Sequence, residues 1–299
     1  MEWNKPVLCD GTWIRPIVEE SGYIGSDAAF ANIFLLRKKY DIRVCQYKGF
    51  LIRYYSGKES RHGYTFPLGK GDVEKALLAI KKDAESLERP LEFCFVTEEQ
   101  KEILEKVFPG ELHFQSDRGD SDYIYDRQEL ANLSGKAFHK KKNHVSKFKR
   151  TYPEYEYVQL GVSNVDDARL VEDAWYYDHL QQEDSSAMFE YGAIKEALEN
   201  LEELELTGGV IYVNGSPVAM TIASSINKDV SDIHFEKSVG EFSLNGGYAA
   251  INQFHVQGME DVMYVNREED IGIEGLRKAK ESYHPKMLLK KYHGKKIKV

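Results

Sequence analysis

The chain has 299 residues, 42% of them hydrophobic and 30% charged, with a formal net charge of -9. That content buries a core in one large or two ordinary domains, and the acidic balance excludes a protein that coats nucleic acid over its whole surface. No stretch approaches the roughly 20 apolar residues of a membrane span; Cys9, Cys45 and Cys94 form no C-x-x-C pair, and "MEWNKPVLCD" lacks a basic-then-apolar leader, so a reduced cytoplasmic setting without a disulfide framework or metal site is expected.

Residues 42–57, "IRVCQYKGFLIRYYSG", predict a hairpin turning at Lys48-Gly49, and "GYTFPLG" (63–69) a short strand. "DVEKALLAIKKDAESL" (72–87) carries Val73, Ala76, Leu77, Ile80 and Ala84 at helical spacing. Then come "LEFCFVT" as a strand, "EEQKEILEKVF" as a helix and "ELHFQS" as a strand. From Asp126 the chain reads as helical, with Asp126 and Glu129 placed as a capping box and Gly135 as a stop. A second helix is expected over Lys136–Arg150, a third over 163–182 behind a box of Ser163 and Asp166, and a fourth in "EYGAIKEALENL".

The last third alternates. Asn214-Gly215 between two apolar runs predicts a two-residue hairpin. "SDIHFEKS" reads as a strand, "GGYAAINQFHVQG" as a helix, "DVMYVN" as a strand, "IEGLRKAKESY" as a helix and "KMLLKKYHG" as one last strand. The order makes an α/β (α+β) chain whose final parallel strands are able to splay around an extended ligand.

Charge is laid out unevenly. Residues 136–150 hold seven Lys/Arg and 286–299 six Lys, neither with an acid, so the remainder has 40 - 13 = 27 cations against 49 acids. Any anion partner is therefore met locally. In the first basic run Phe138, Lys141, Val145 and Phe148 share one face, interrupted by Lys141, while Lys136, Lys140, Asn143, His144 and Lys147 form the adjoining stripe, which suits phosphate contacts or a plain solvated face. On "SDIHFEK", Asp232, His234 and Glu236 share one strand face, which makes Glu236 or His234 a candidate general base. Gly246 and Gly247 allow close approach of a phosphate to a helix start, or simply make a turn; Ser243 and Tyr248 depart from the Q/R-x-x-G-x-G/A run of coenzyme A enzymes. Arg267, Glu268, Glu269 and Asp270 crowd a strand end, where Glu268 and Asp270 are placed to orient an amine, or Asp270 merely to cap a helix. No P-loop, H-E-x-x-H or G-x-S-x-G motif occurs.

The stretches "YTFPLG" (64–69), "DYIYDRQELANLSGKAFHKKKNHVSKF" (122–148), "SDIHFEK" (231–237) and "YVNREEDIGIEGLRKAKESYHPKMLLKKY" (264–292) resemble the family built on the carboxyl-terminal domain of phosphatidylglycerol lysyltransferases. That resemblance implies two Gcn5-related acyltransferase-like domains in tandem, as in Fem peptidyltransferases, here expected at 1–130 and 131–299. It implies an aminoacyl group drawn from aminoacyl-tRNA and passed to an amine or hydroxyl of a small molecule, peptide or lipid headgroup. Under it, Glu236 or His234 is the base, Gly246, Gly247 and Tyr248 lie near the donor phosphate, and Asn266, Arg267, Glu268 and Asp270 hold the aminoacyl group. Lys140, Lys141, Lys142, Asn143, His144 and Lys147 then meet the tRNA acceptor end. A coenzyme-A-dependent N-acetyltransferase using acetyl-CoA, and a non-catalytic binding protein of the same fold, are the alternatives.

Overall fold

The computed structural model describes residues 1–179 and 185–297. In chain order the elements are α1 (Gly11–Ser21), α2 (Phe30–Leu35), β1 (Arg43–Tyr47), β2 (Phe50–Ser56), β3 (His62–Tyr64), β4 (Leu68–Gly69), α3 (Val73–Ser86), β5 (Phe93–Val96), α4 (Glu98–Val107), β6 (Leu112–Gln115) and β7 (Asp122–Asp126). They continue as α5 (Arg127–Asn132), α6 (His139–Thr151), β8 (Tyr155–Gln159), α7 (Val165–His179), α8 (Ser185–Glu199), β9 (Thr207–Val213), β10 (Ser216–Asn227), β11 (Val230–Ser238), α9 (Gly240–Leu244), α10 (Gly247–Gln257), β12 (Tyr264–Asn266), α11 (Glu274–Glu281), β13 (Met287–Leu289) and β14 (Tyr292–Lys296). Two compact units result: Met1–Tyr123 with Glu269–Glu274 and Leu288–Val299, and Ile124–Glu268 with Gly275–Met287. Against the expected division after residue 130, the main stretch of the first unit ends at Tyr123 and two later segments belong to it.

The first unit holds a sheet ordered β1-β2-β3-β5-β14-β6, with β4 also pairing β2. Its first hairpin closes with Tyr47 opposite Phe50; Lys48 and Gly49 take φ 47° and 86°, the left-handed pair a two-residue turn demands. Helices α3 and α4 bury Leu77, Ile80 and Leu104 against Ile52, Tyr64, Phe93 and Phe108, all 4% exposed or less. Asp72 caps α3 through the Lys75 N–H at 3.0 Å, and Thr97 with Gln100 forms a capping box on α4. Two expected strands divide. "GYTFPLG" becomes β3 and β4, because Pro67 has no N–H for a ladder.

"KMLLKKYHG" becomes β13, in the second sheet, and β14, inserted between β5 and β6 of the first. The break falls at Lys290–Lys291, where the Lys291 side chain turns inward. Its ammonium lies 2.6 Å from Asp122, 3.3 Å from Asp27 and 3.4 Å from Glu269. Arg53 pairs with Asp27 at 3.0 Å and Arg61 with Glu269 at 3.3 Å. Arg61 also reaches Asp120 at 3.9 Å, so each of the three cations meets at least one carboxylate, as burial of charge requires. Lys291 is thereby spent on structure, and Lys298 lies outside the described residues.

The second unit is built on a sheet ordered β13-β7-β12-β11-β10-β9-β8. Val213 faces Ser216 across Asn214-Gly215, at φ 50° and 78°, so the predicted hairpin forms. Helix α10 packs on β10 and β11, and α6 packs on α10. Several boundaries move. Helix α5 stops at Asn132, with Leu133 rather than Gly135 as its left-handed cap at φ 47°; Asp126 does cap it, accepting the Gln128 and Glu129 N–H groups. Helix α6 starts at His139, with no side-chain cap, rather than at Lys136. Helix α7 begins after Asn164, and Asp166 pairs with Arg169 at 2.8 Å; the expected end of that helix, Gln181 and Gln182, lies outside the described residues.

Candidate functional site

Strands β11 and β12 run parallel but pair only from Val230–Asp232 to Tyr264–Asn266. β11 continues beside β10 to Ser238. Its last residues therefore have no strand on the β12 side, a splayed edge that leaves Glu236 to be satisfied by side chains. One Glu236 oxygen accepts from Asn252 Nδ2 of α10 at 2.8 Å, and the other meets the Arg267 guanidinium in an ion pair. Arg267 lies 4.6 Å from the Tyr283 ring centroid and 5.7 Å from that of Tyr125. Because a carboxylate only accepts, Asn252 must turn its amide nitrogen to it. Its Oδ1, and Nη1 of Arg267, find no hydrogen-bond partner among the described residues.

Lys141 enters the same place from α6. Its Nζ lies 3.9 Å from the Tyr283 centroid, the geometry of a cation–π contact. Burial, and then the neighbouring Arg267 charge, push its pKa down to about 8, with Glu236 pulling the other way. The apolar face of α6 is otherwise Phe138, Val145 and Phe148, each 5% exposed or less. Lys140, Lys142, Asn143, His144 and Lys147 are exposed. Lys147 also donates to the Leu244 carbonyl at 3.2 Å. Burial, then Lys141 and Lys147, lower the His144 pKa.

His234 and Glu268 form a separate group. The imidazole has a side chain 0% exposed, with Nε2 2.8 Å from Ser224 Oγ and Nδ1 3.1 Å from Glu268. Asp232 stands 3.5 Å from the same Nδ1. Glu268 takes φ 55°, and its N–H donates to Asn266 Oδ1 at 2.7 Å. Both ring nitrogens of His234 are thus engaged by the protein. Asp270 belongs to the first unit, where its carboxylate accepts from Tyr123 at 2.6 Å and from the Gly272 N–H at 2.9 Å.

The two glycines have a packing role. A Cβ on Gly246, at φ 99°, would stand 2.3 Å from the His144 carbonyl, and one on Gly247 2.2 Å from Ser238 Oγ. They let α10 start against α6 and β11. Tyr248 accepts a hydrogen bond from Trp175 Nε1 at 2.9 Å. Lys141 was visible in the sequence as the cation breaking an apolar face. Asn252, Tyr283 and Ser224 carried no signal there, since an Asn inside "GGYAAINQFHVQG" and a Ser inside "IASSI" look like ordinary fillers.

The model of the family described as phosphatidylglycerol lysyltransferase, C-terminal, matches residues 19–293. The chain belongs to that family. A crystal structure of a conserved protein of unknown function from Bacteroides thetaiotaomicron is similar at 34% identity and TM-score 0.94, covering 99% of this chain and 100% of that one. The L-PGS structure from Bacillus licheniformis shares the fold at 14% identity and TM-score 0.67, covering 96% of this chain and 91% of that one. FemX shares it at 9% identity and TM-score 0.52, covering 98% and 97%. The lysyltransferase family member thus has two compact α/β units and two seven-stranded sheets. An uncharacterised protein of Mycoplasmoides gallisepticum is 24% identical over 176 residues, 58% of this chain, and the chain spans about half the length, 55%, of that curated relative. No helix among the described residues is long and apolar enough to cross a membrane.

Proposed function

We propose that this lysyltransferase family member is an aminoacyltransferase, taking an aminoacyl group from aminoacyl-tRNA and passing it to an amine or hydroxyl acceptor. The observation that carries the reading is helix α6: it sends Lys141 to the Glu236–Arg267 pair while holding Lys140, Lys142, Asn143, His144 and Lys147 in solvent. One helix thus carries an exposed basic stripe and also reaches a site with a carboxylate and a lysine of lowered pKa. Family membership supports the reading, since that family takes its name from lysyl transfer to phosphatidylglycerol.

In this reading the acceptor nucleophile loses its proton to Glu236, and Lys141, whose pKa of about 8 leaves a neutral fraction near pH 7, exchanges protons beside it. The ester carbonyl carbon gains the new bond to the acceptor, and the tRNA 3′ oxygen leaves with a proton. Arg267, ion-paired with Glu236, is the cation beside the base that would offset the developing oxyanion's charge. His234 is not retained as base in this scheme, because its side chain is 0% exposed whereas that of Glu236 is 11% exposed. Gly246, Gly247 and Tyr248 keep a place near the donor only through the start of α10, and Asn266, Glu268 and Asp270 only as supports around the strand end.

The test is a transfer assay with labelled aminoacyl-tRNA and a small-molecule extract, with acetyl-coenzyme A run in parallel. Label moving to a new product in wild type and falling at least tenfold in Glu236→Gln and Lys141→Met supports it. Transfer unaffected by Glu236→Gln removes Glu236 as base, and acetyl transfer alone replaces the reading with the acetyltransferase.

A further inference from the structure

We infer that Asp232, His234 and Glu268 form a binding site for one divalent transition-metal ion of the zinc type, independent of the transfer reading. The parallel register builds it. Asp232 lies opposite Asn266, so His234, two residues further along the same strand face, stands beside Glu268, two residues past the end of β12. Three ligand atoms of the kinds zinc takes, an imidazole nitrogen and two carboxylate oxygens, all lie within 4.8 Å of one another.

The distances have the scale of a coordination shell. Bonds near 2.0–2.1 Å at tetrahedral angles put ligand atoms about 3.3 Å apart, and the two carboxylates stand 3.1 and 3.5 Å from His234 Nδ1. Two carboxylates also converge on one ring nitrogen, which has at most one N–H to give. In the tautomer that gives Nε2–H to Ser224 Oγ, 2.8 Å away, Nδ1 turns its lone pair to the two carboxylates, and that is the tautomer a bound cation selects. An acceptor on the far nitrogen is the usual way a metal-binding histidine is oriented, and Ser224 Oγ stands in that position. The Asp232 and His234 side chains are both 0% exposed and that of Glu268 25%, so the entry path runs past Glu268.

Such an ion would tie β11 to the segment after β12 at the root of the splayed edge, next to Arg267. The test is titration of chelator-treated full-length protein with Zn²⁺ against a chromophoric competitor, with Co²⁺ absorption as a second readout. The expected result is one equivalent bound at micromolar affinity or tighter, a tetrahedral Co²⁺ spectrum, loss of binding in His234→Ala and at least tenfold weakening in Glu268→Gln. Should His234→Ala fail to fold, Glu268→Gln and Ser224→Ala decide, the latter weakening binding about tenfold or more. No zinc bound by wild type at 100 μM, or equal binding by wild type and Glu268→Gln, overturns the inference.

Discussion

Arg267 and Glu236 are paired where β11 and β12 have ceased to pair, so a salt bridge stands in for the missing backbone ladder at the splayed edge. Their side chains are 13% and 11% exposed, and Asn252 supplies the carboxylate's other hydrogen bond. Removing one partner of such a pair strands the other charge. Arg267→Met should cost about 3 kcal/mol and Glu236→Gln less, because Gln still accepts from Asn252. The double variant should recover part of the loss; denaturant unfolding of all four proteins checks this.

The stripe on α6 makes a prediction of opposite character. Its lysines are exposed, so Lys140→Ala and Lys147→Ala together should cost no more than about 1 kcal/mol, the lost Lys147 bond to the Leu244 carbonyl included. If the stripe meets phosphates, the double variant should flatten the dependence of log K for tRNA on log salt by up to about 2. An unchanged slope removes the stripe from tRNA binding.

Gly246 tests the packing role of the turn before α10. At φ 99°, with the His144 carbonyl 2.3 Å from where a Cβ would be, Gly246→Ala should destabilise the protein by roughly 2 kcal/mol or more. If the glycine served only ligand approach, the variant would fold with wild-type stability and lose only binding.

Glu172 of α7 predicts a pH effect. It is 1% exposed, and both oxygens lack hydrogen-bond partners among the described residues. Burial pushes its pKa up to about 7, partly offset by Lys237. The folded state then holds a proton more tightly than the unfolded state, so this group's contribution is complete below its unfolded pKa near 4.5 and is lost as pH rises towards 7. Glu172→Gln should gain on the order of 1–3 kcal/mol relative to wild type at pH 8 and almost nothing at pH 4. Equal differences at the two pH values would contradict burial as the cause.

Much of this was legible in the chain itself, for physical reasons that also mark the limits. The Lys48-Gly49 and Asn214-Gly215 hairpins form because local turn chemistry decides them. Strands β7 and β8 went unread: Asp122–Asp126 runs directly into a helix cap, and "YEYVQ" alternates too weakly. The split of "KMLLKKYHG" depends on where Lys291 finds its carboxylates, which are far away in sequence. For the site, period-2 alternation placed Asp232, His234 and Glu236 on one face. It could not tell that His234 is enclosed and Glu236 is gripped by Asn252 and Arg267, because those partners come from tertiary packing. Asp270 illustrates the same limit, since its nearness in sequence to Glu268 says nothing of Tyr123.

The most direct measurement is retention of charged over uncharged tRNA by the purified protein across a salt series, with acetyl-coenzyme A as comparison. An aminoacyltransferase should hold particular aminoacyl-tRNAs at least several-fold more tightly than the same tRNAs deacylated, with Lys141→Met and Glu236→Gln narrowing that difference. Equal affinity for charged and uncharged tRNA, or no affinity at low salt, would contradict the proposed function.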